Sequence, residues 1–402
     1  MIGLRNGDYA ALVPALQEYL LTRGIPIPRW RQEELDGPER QAFAAQVLKG
    51  MVDLKVPVGP EDLPEVSAEV ARRILGLGVL EPYLRDETVS EVIVRGRHVK
   101  VERAGRLEEI GDLGSAEYFL EVARRVAELQ GRQLGVAKPF VLVDLPDGSR
   151  LTAMIPPLSV AGVAINIRRF AVRRLNLEEL VERSALDRET ASLLERVAGR
   201  VNLLVSGAPG AGKTTLLNAL SAHFPQGSEV AIVESFRELQ VQHPHPAWAV
   251  VQEEGEEGRI SMGEVVNVIY TRMRPDIVAV GEVVRGDQAA EYVHAINLGV
   301  VGLTTIHGSS CLGALHRLET MVLETKPTLN WLATRERIAE GTDIVIQLRR
   351  LADGRRRLQE MVALEGLDER GHFITTVLKR WDPDKGSFSP LKCSHRLEER
   401  LA

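Results

Sequence analysis

Residues Gly207 to Thr214 read G-A-P-G-A-G-K-T. The glycines at 207, 210 and 212 let the backbone turn successive N–H groups inward around a phosphate. Lys213 can then reach the β and γ phosphates with its ammonium, and the Thr214 hydroxyl can ligate a Mg²⁺ that bridges the same oxygens. Ala208, Pro209 and Ala211 fill the rest of the loop, and Thr215 follows into the next element. The apolar run V-N-L-L-V-S precedes this loop and T-L-L-N-A-L follows it, so the context is strand, glycine turn, helix. A helix beginning at the turn adds its positive end to the cradle. Together these features predict a nucleoside triphosphate with Mg²⁺ as ligand.

Three later segments carry what hydrolysis needs beyond that cradle. In A-I-V-E-S-F-R-E-L-Q, Ala231 to Gln240, an apolar strand runs into Glu234 and Glu238, carboxylates placed to orient water or the Mg²⁺ shell. In M-R-P-D-I-V-A-V-G-E, Met273 to Glu282, a second apolar strand ends in Glu282, a candidate for polarising water or holding the metal. In G-L-T-T-I-H, Gly302 to His307, a β-branched run delivers a histidine able to donate to the γ-phosphate and report its presence.

Elements must hold these residues in place, and the chain is long enough for two or three compact units: 402 residues, 44% hydrophobic and 26% charged. The net charge of −6 argues against a strongly basic nucleic-acid binder. No apolar stretch approaches the length of a membrane span and no secretion signal is visible, so a cytoplasmic protein is expected. Cys311 and Cys393 form no CxxC pair, which leaves no disulfide framework or zinc site to expect. A helix over Tyr9 to Thr22 and proline-rich connections at Ile25–Trp30 and Val56–Pro64 make a leader, residues 1–65. Residues 66–172 read as a small α+β domain. It has a helix from Ser67, strands in E-V-I-V-R-G and H-V-K-V-E-R, a helix near Ala116–Leu129, and strands around the D-G-S-R turn at Asp147–Arg150. A charged linker helix, Leu177 to Val197 within 173–200, leads to alternating strands and helices over 201–402, the pattern of a parallel sheet wrapped by helices.

The order and spacing of these segments resemble the secretion ATPases of type II and type IV secretion and pilus systems, nearest to the tight-adherence (Tad) pilus branch. The resemblance runs from about Leu75 to Leu364. It rests on the phosphate loop, an acidic box (V-E-S-F-R-E-L), a strand ending in glutamate (R-P-D-I-V-A-V-G-E) and a histidine box (T-T-I-H-G-S-S). L-G-L-G-V-L-E-P-Y-L, I-P-P-L and I-N-I-R-R-F in the leading half also match. It implies a RecA-like P-loop α/β domain, mostly parallel with helices on both faces, preceded by a smaller α+β (PAS-like) domain and a helical leader. It implies an ATPase with nucleotide between the two domains, Glu238 as water-activating carboxylate, Glu282 as the Walker B acid and His307 as sensor. Arg150 and Arg168 fall where the family's smaller domain lends arginines to the phosphates, and a planar guanidinium suits that role. Arg272, Arg274 and Arg285 flank Glu282, and any one of them could reach a neighbouring subunit's nucleotide, the sequence not choosing among them. A hexameric ring on inner-membrane platform proteins, peripheral to that membrane, is the implied assembly, with no specific nucleic acid.

The sequence departs from the family at several points. Ser235 stands where relatives carry a second acid, V-V-R-G after Glu282 has one residue more than their V-R-G and so shifts Arg285, and Gly308 after His307 loosens the loop there. An ATP-binding scaffold with feeble turnover and a RecA-like nucleic-acid motor therefore stand as alternatives. Two further features read as structure. E-E-G-E-E-G-R, Glu253 to Arg259, is a solvated loop. I-V-I-Q-L-R-R-L-A-D-G-R-R-R-L is a hairpin turning at Asp353-Gly354, whose Arg349, Arg350, Arg355, Arg356 and Arg357 make a charged face or a partner contact.

Overall fold

A computed structural model describes residues 6–25, 38–103, 105–145, 147–170, 174–251 and 260–402. The acidic run at 253–259 and most of the first proline-rich connection lie outside these. The chain divides into two compact units, Met1–Val172 and Arg173–Ala402.

The first unit holds two cores. Helices α1 (Asn6–Thr22), α2 (Pro38–Asp53) and α3 (Leu63–Leu75) bury Leu16, Leu20, Val47, Met51, Val70 and Ile74 against one another. The leader boundary read at residue 65 falls inside α3. Val66, Val70 and Ile74 recur at a spacing of four and so lie on the one face that packs on α1 and α2. After α4 (Glu81–Arg85) come β1 (Val89–Arg95), β2 (His98–Arg103), β3 (Arg106–Asp112), α5 (Ala116–Leu129), β4 (Phe140–Asp144), β5 (Arg150–Met154) and β6 (Ala164–Arg168). The strands pair antiparallel throughout in the order β3-β2-β1-β6-β5-β4. Their alternating valines and isoleucines bury one face with Phe119, Val122 and Val126 of α5. Ser115 caps α5 by accepting from the Tyr118 N–H at 3.1 Å.

The second unit is a sheet between two layers of helices. In order come α6 (Leu177–Glu182), α7 (Arg188–Val197), β7 (Leu203–Gly207), α8 (Lys213–Ser221), β8 (Val230–Glu234), β9 (Ala247–Val250), α9 (Met262–Val268), β10 (Ile277–Val283), α10 (Gly286–Asn297) and β11 (Val301–Ile306). Then follow α11 (Cys311–Thr325), α12 (Trp331–Gly341), β12 (Ile344–Arg350), β13 (Arg356–Leu367), β14 (Phe373–Asp382), β15 (Ser387–Phe388) and α13 (His395–Leu401). The stretch read as one linker helix is two. Ser184 takes a left-handed φ of 58° and Asp187 caps α7, so the helical ladder cannot run through. Both pieces pack into this unit's core through Leu177, Leu180, Leu194 and Val197.

Strand order is β15-β14-β13-β12-β7-β11-β10-β8-β9. From β12 to β9 every pairing is parallel, and from β12 outward to β15 every pairing is antiparallel. Successive residues of β7 and β8 feed opposite cores. Leu203, Val205 and Ile232 face α6, α7, α8 and α13, while Leu204, Ala231 and Val233 face α9 to α12. The fold is the sheet wrapped by helices that the alternation of elements predicts, the RecA-like α/β arrangement that the resemblance implies, and it brings the carboxyl ends of β7, β8, β10 and β11 to one edge.

Candidate active site

The glycine loop is shaped by contacts only glycine allows. A β-carbon on Gly207 would stand 2.8 Å from the Leu348 carbonyl oxygen, and Gly210 and Gly212 adopt φ of 72° and 96°. Ala211 N–H closes a turn on the Ala208 carbonyl at 3.1 Å, and Leu216 N–H on Gly212 starts the α8 ladder. Helix geometry leaves the first N–H groups of an α-helix such as α8 without an acceptor in the helix itself, the arrangement an anion fits.

Lys213, the first residue of α8, is buried and meets three strand ends at once. Its Nζ donates to the Gly207 carbonyl at 3.2 Å, lies 3.1 Å from His307 Nδ1 and pairs with Glu282 Oε1 at 3.2 Å. His307 Nε2 is itself 3.3 Å from Glu282 Oε1. Glu282 arrives through a bulge in β10: Val280 pairs with Thr304 and Val283 with Ile306, so β10 spends one residue more than β11 over the same span. Thr305 Oγ1 pins the bulge by donating to the Gly281 carbonyl at 2.8 Å. Arg285 lies past the strand with its Nε 3.5 Å from Asp287 Oδ1.

The two carboxylates of the acidic box have different positions. Glu234 ends β8 buried, and burial raises its carboxyl above the usual range. Its Oε2 accepts the N–H groups of Glu238 and Leu239, each at 3.0 Å, and its Oε1 accepts Trp248 Nε1 at 2.9 Å. Those bonds bind the loop that carries Glu238, whose Oε2 accepts the Thr214 hydroxyl at 3.4 Å. Glu234 thus holds the loop and Glu238 faces the cradle. Ser235 turns toward Met262, its hydroxyl 3.4 Å from Sδ. Gly308, which the sequence suggested would loosen the loop, is held: Gln347 Nε2 donates to its carbonyl at 3.1 Å, and a β-carbon there would collide with the Ser206 hydroxyl.

Among the described residues no group of three or more His, Cys, Asp or Glu side chains could hold a metal alone. The Thr214 hydroxyl and the Glu282 carboxylate are hard oxygen donors of the kind that could share a Mg²⁺ shell with substrate phosphates. Arg150 and Arg168 stand directly opposite each other on β5 and β6, so both project from one face of the first unit's sheet. Arg272 and Arg274 precede β10 and lie at the sheet edge opposite the loop, whereas Arg285 follows β10 on the loop's own edge. Sequence reading missed Arg356, which donates from Nε to the Gly210 carbonyl at 3.1 Å. Only the side-by-side pairing of β12 with β7 puts it there.

Comparison with known proteins bears on the family and the fold. Residues 74–387 match the family described as "Type II/IV secretion system protein". A protein of Mycobacterium tuberculosis named for conjugal transfer is 30% identical over 336 residues, covering 81% of this chain and 93% of that one. Conjugal transfer protein TrbB of Rhizobium radiobacter is 32% identical over 301 residues, covering 73% and 88%. The Legionella pneumophila ATPase DotB superposes with a TM-score of 0.51 at 18% identity over 73% of this chain and 80% of its own, a likeness of fold.

Proposed function

The chain belongs to the type II/IV secretion system protein family, and on that premise we propose that it is an ATP-hydrolysing motor for protein secretion, conjugal transfer or pilus assembly. The observation that carries this reading is the meeting of Lys213, Glu282 and His307 at the glycine cradle, with Thr214 and Glu238 beside them.

Each side chain then has work in the reaction. Lys213 exchanges the Gly207 carbonyl and Glu282 for β and γ phosphate oxygens. Glu238, steadied through Glu234, accepts the proton of the attacking water. His307 moves from Lys213 and Glu282 to the terminal phosphate and registers its presence. Thr214 and Glu282 would hold Mg²⁺, which when bound neutralises charge on the β and γ oxygens. Arg150 and Arg168 would supply guanidinium donors from the first unit, with nucleotide between the units. We place six copies in a ring, cytoplasmic and peripheral to the inner membrane through platform proteins. Among the described residues no helix is long and apolar enough to cross a membrane. Nearness to the tight-adherence branch rests on the sequence motifs.

Phosphate release from ATP tests the reading. The parent should release phosphate, and Glu238→Gln should bind ATP yet turn over roughly 10²-fold or more slower. Equal rates would remove Glu238 from the chemistry. Nucleotide-dependent assembly with release from neither protein would leave a nucleotide-gated scaffold, and strong stimulation by single-stranded DNA would favour a nucleic-acid motor.

A further inference from the structure

Beyond Gly207 the neighbouring strand β12 continues through Arg349 and Arg350, turns, and returns as β13 through Arg356 and Arg357. In this antiparallel register Arg350 stands opposite Arg356, and Arg349 opposite Arg357. Adjacent strand residues face opposite sides, so the hairpin presents two arginine pairs on two faces.

The arginines differ in what they touch. Arg357 is buried, its guanidinium 3.8 Å over the Trp381 ring and its Nε donating to the Ser184 carbonyl at 3.0 Å. Arg355 is tied at the turn to Asp353 at 2.7 Å. The pair Arg350 and Arg356 faces the phosphate loop. Arg356 Nε holds the Gly210 carbonyl, and its methylenes pass 3.7–3.9 Å from where a β-carbon on Gly212 would stand. Arg350 Nη1 lies 3.7 Å from the corresponding point on Gly210. Pro209 and Gly210 are exposed, so solvent reaches the space in front of them.

We propose that Arg350 and Arg356 form a cationic clamp at the tip of the loop that grips the phosphate chain of the nucleotide. The assignment rests on the nucleotide-binding reading above and adds two residues from the antiparallel arm, which lies outside the four motifs of the loop and its strand ends. Two physical arguments support it. A guanidinium is charged at any working pH and offers paired donors matched to phosphate oxygens. The pair is also pre-positioned. Leu348 registers with Gly207, and the turn is closed by Leu351 N–H on the Arg355 carbonyl at 2.7 Å, Gly354 N–H on the Leu351 carbonyl at 3.0 Å and Arg355 N–H on Asp353 Oδ1 at 3.0 Å. Little ordering is therefore left for binding to impose.

The test is displacement of a fluorescent ATP analogue from the full chain by ATP, inorganic tripolyphosphate and adenosine. Arg350→Ala/Arg356→Ala should weaken ATP and tripolyphosphate by about tenfold or more, the scale of losing charge-assisted bonds, and leave adenosine unchanged. Arg355→Ala, which removes the same charge from the turn, should stay within about twofold of the parent by the same scale. A charge-preserving Arg350→Lys/Arg356→Lys variant should regain part of the tripolyphosphate affinity, which guards against a loss caused by misfolding. Parent-like binding by the double alanine variant overturns the clamp, and so does an equal loss for adenosine. A parent that binds neither ATP nor tripolyphosphate would overturn the nucleotide reading itself, and the clamp with it.

Discussion

At the carboxyl ends of β7, β10 and β11, polar side chains meet one another as well as backbone: Lys213 pairs with Glu282 and His307 besides the Gly207 carbonyl, and Thr214 with Glu238. At the amino ends of the same sheet, polar side chains are held by backbone. Asn202 Oδ1 accepts the Gly302 N–H at 2.7 Å, Asp343 Oδ2 accepts the Asn202 N–H at 2.9 Å, and Asp276 Oδ2 accepts the Glu229 N–H at 2.8 Å. Buried polar groups are costly unless partnered. Backbone partners stay for the life of the fold, and the second Asp343 oxygen lies against Arg396 and Arg400 at 3.8 and 3.3 Å, so this edge is built mainly to hold the sheet. Side-chain partners can be exchanged for phosphate oxygens, so the carboxyl edge can open to a ligand. The amino edge maintains the sheet and the carboxyl edge is equipped to act.

Substitutions at the two edges should therefore separate activity from stability. The largest effect is expected for Glu238→Gln, with turnover lowered by roughly 10²- to 10⁴-fold and thermal unfolding unmoved in calorimetry. Lys213→Ala should follow, with a loss of about 10²- to 10³-fold in turnover accompanied by lost ATP binding. A large fall in melting temperature in either variant would show that the carboxyl edge is structural too. Asn202→Ala should behave in the opposite way. It strands the Gly302 N–H and should lower unfolding free energy by about 1–3 kcal/mol in denaturant titration, with turnover per folded molecule preserved. Reduced turnover at unchanged stability would reverse the contrast.

The smallest effect belongs to the first unit, away from both edges. Hydrogen bonds from Thr88, then from Arg103, lower the Asp86 carboxyl to about 2. A folded value below the unfolded one contributes stability that is present above about pH 4 and lost as pH falls toward 2. Asp86→Asn should flatten that part of the acid-unfolding curve and leave phosphate release at neutral pH unchanged.

Much of this was legible before any coordinates. The strand, glycine turn and helix around Lys213 are local, because left-handed glycines and an apolar run act within a few residues. The acid at the end of β10 and the histidine at the end of β11 were visible for the same reason. The split at Ser184 was not, since a serine forced into left-handed backbone carries no mark in the pattern of polar and apolar residues. Helix α2 was also passed over, lying between two proline-rich connections that read as one leader.

Residue types and spacing by themselves determined that a glycine loop joins a strand to a helix at Lys213 and that carboxylates and an imidazole stand at the ends of the strands that follow. Only the tertiary structure decided how those groups divide the work. It turned Glu234 into the anchor of its loop and left Glu238 at Thr214, and it carried the Arg350 and Arg356 hairpin to the tip of the cradle by pairing β12 with β7. Strand neighbours in a parallel sheet are joined across long stretches of chain, so which of them share an edge is settled by packing of the two cores and not by any local signal.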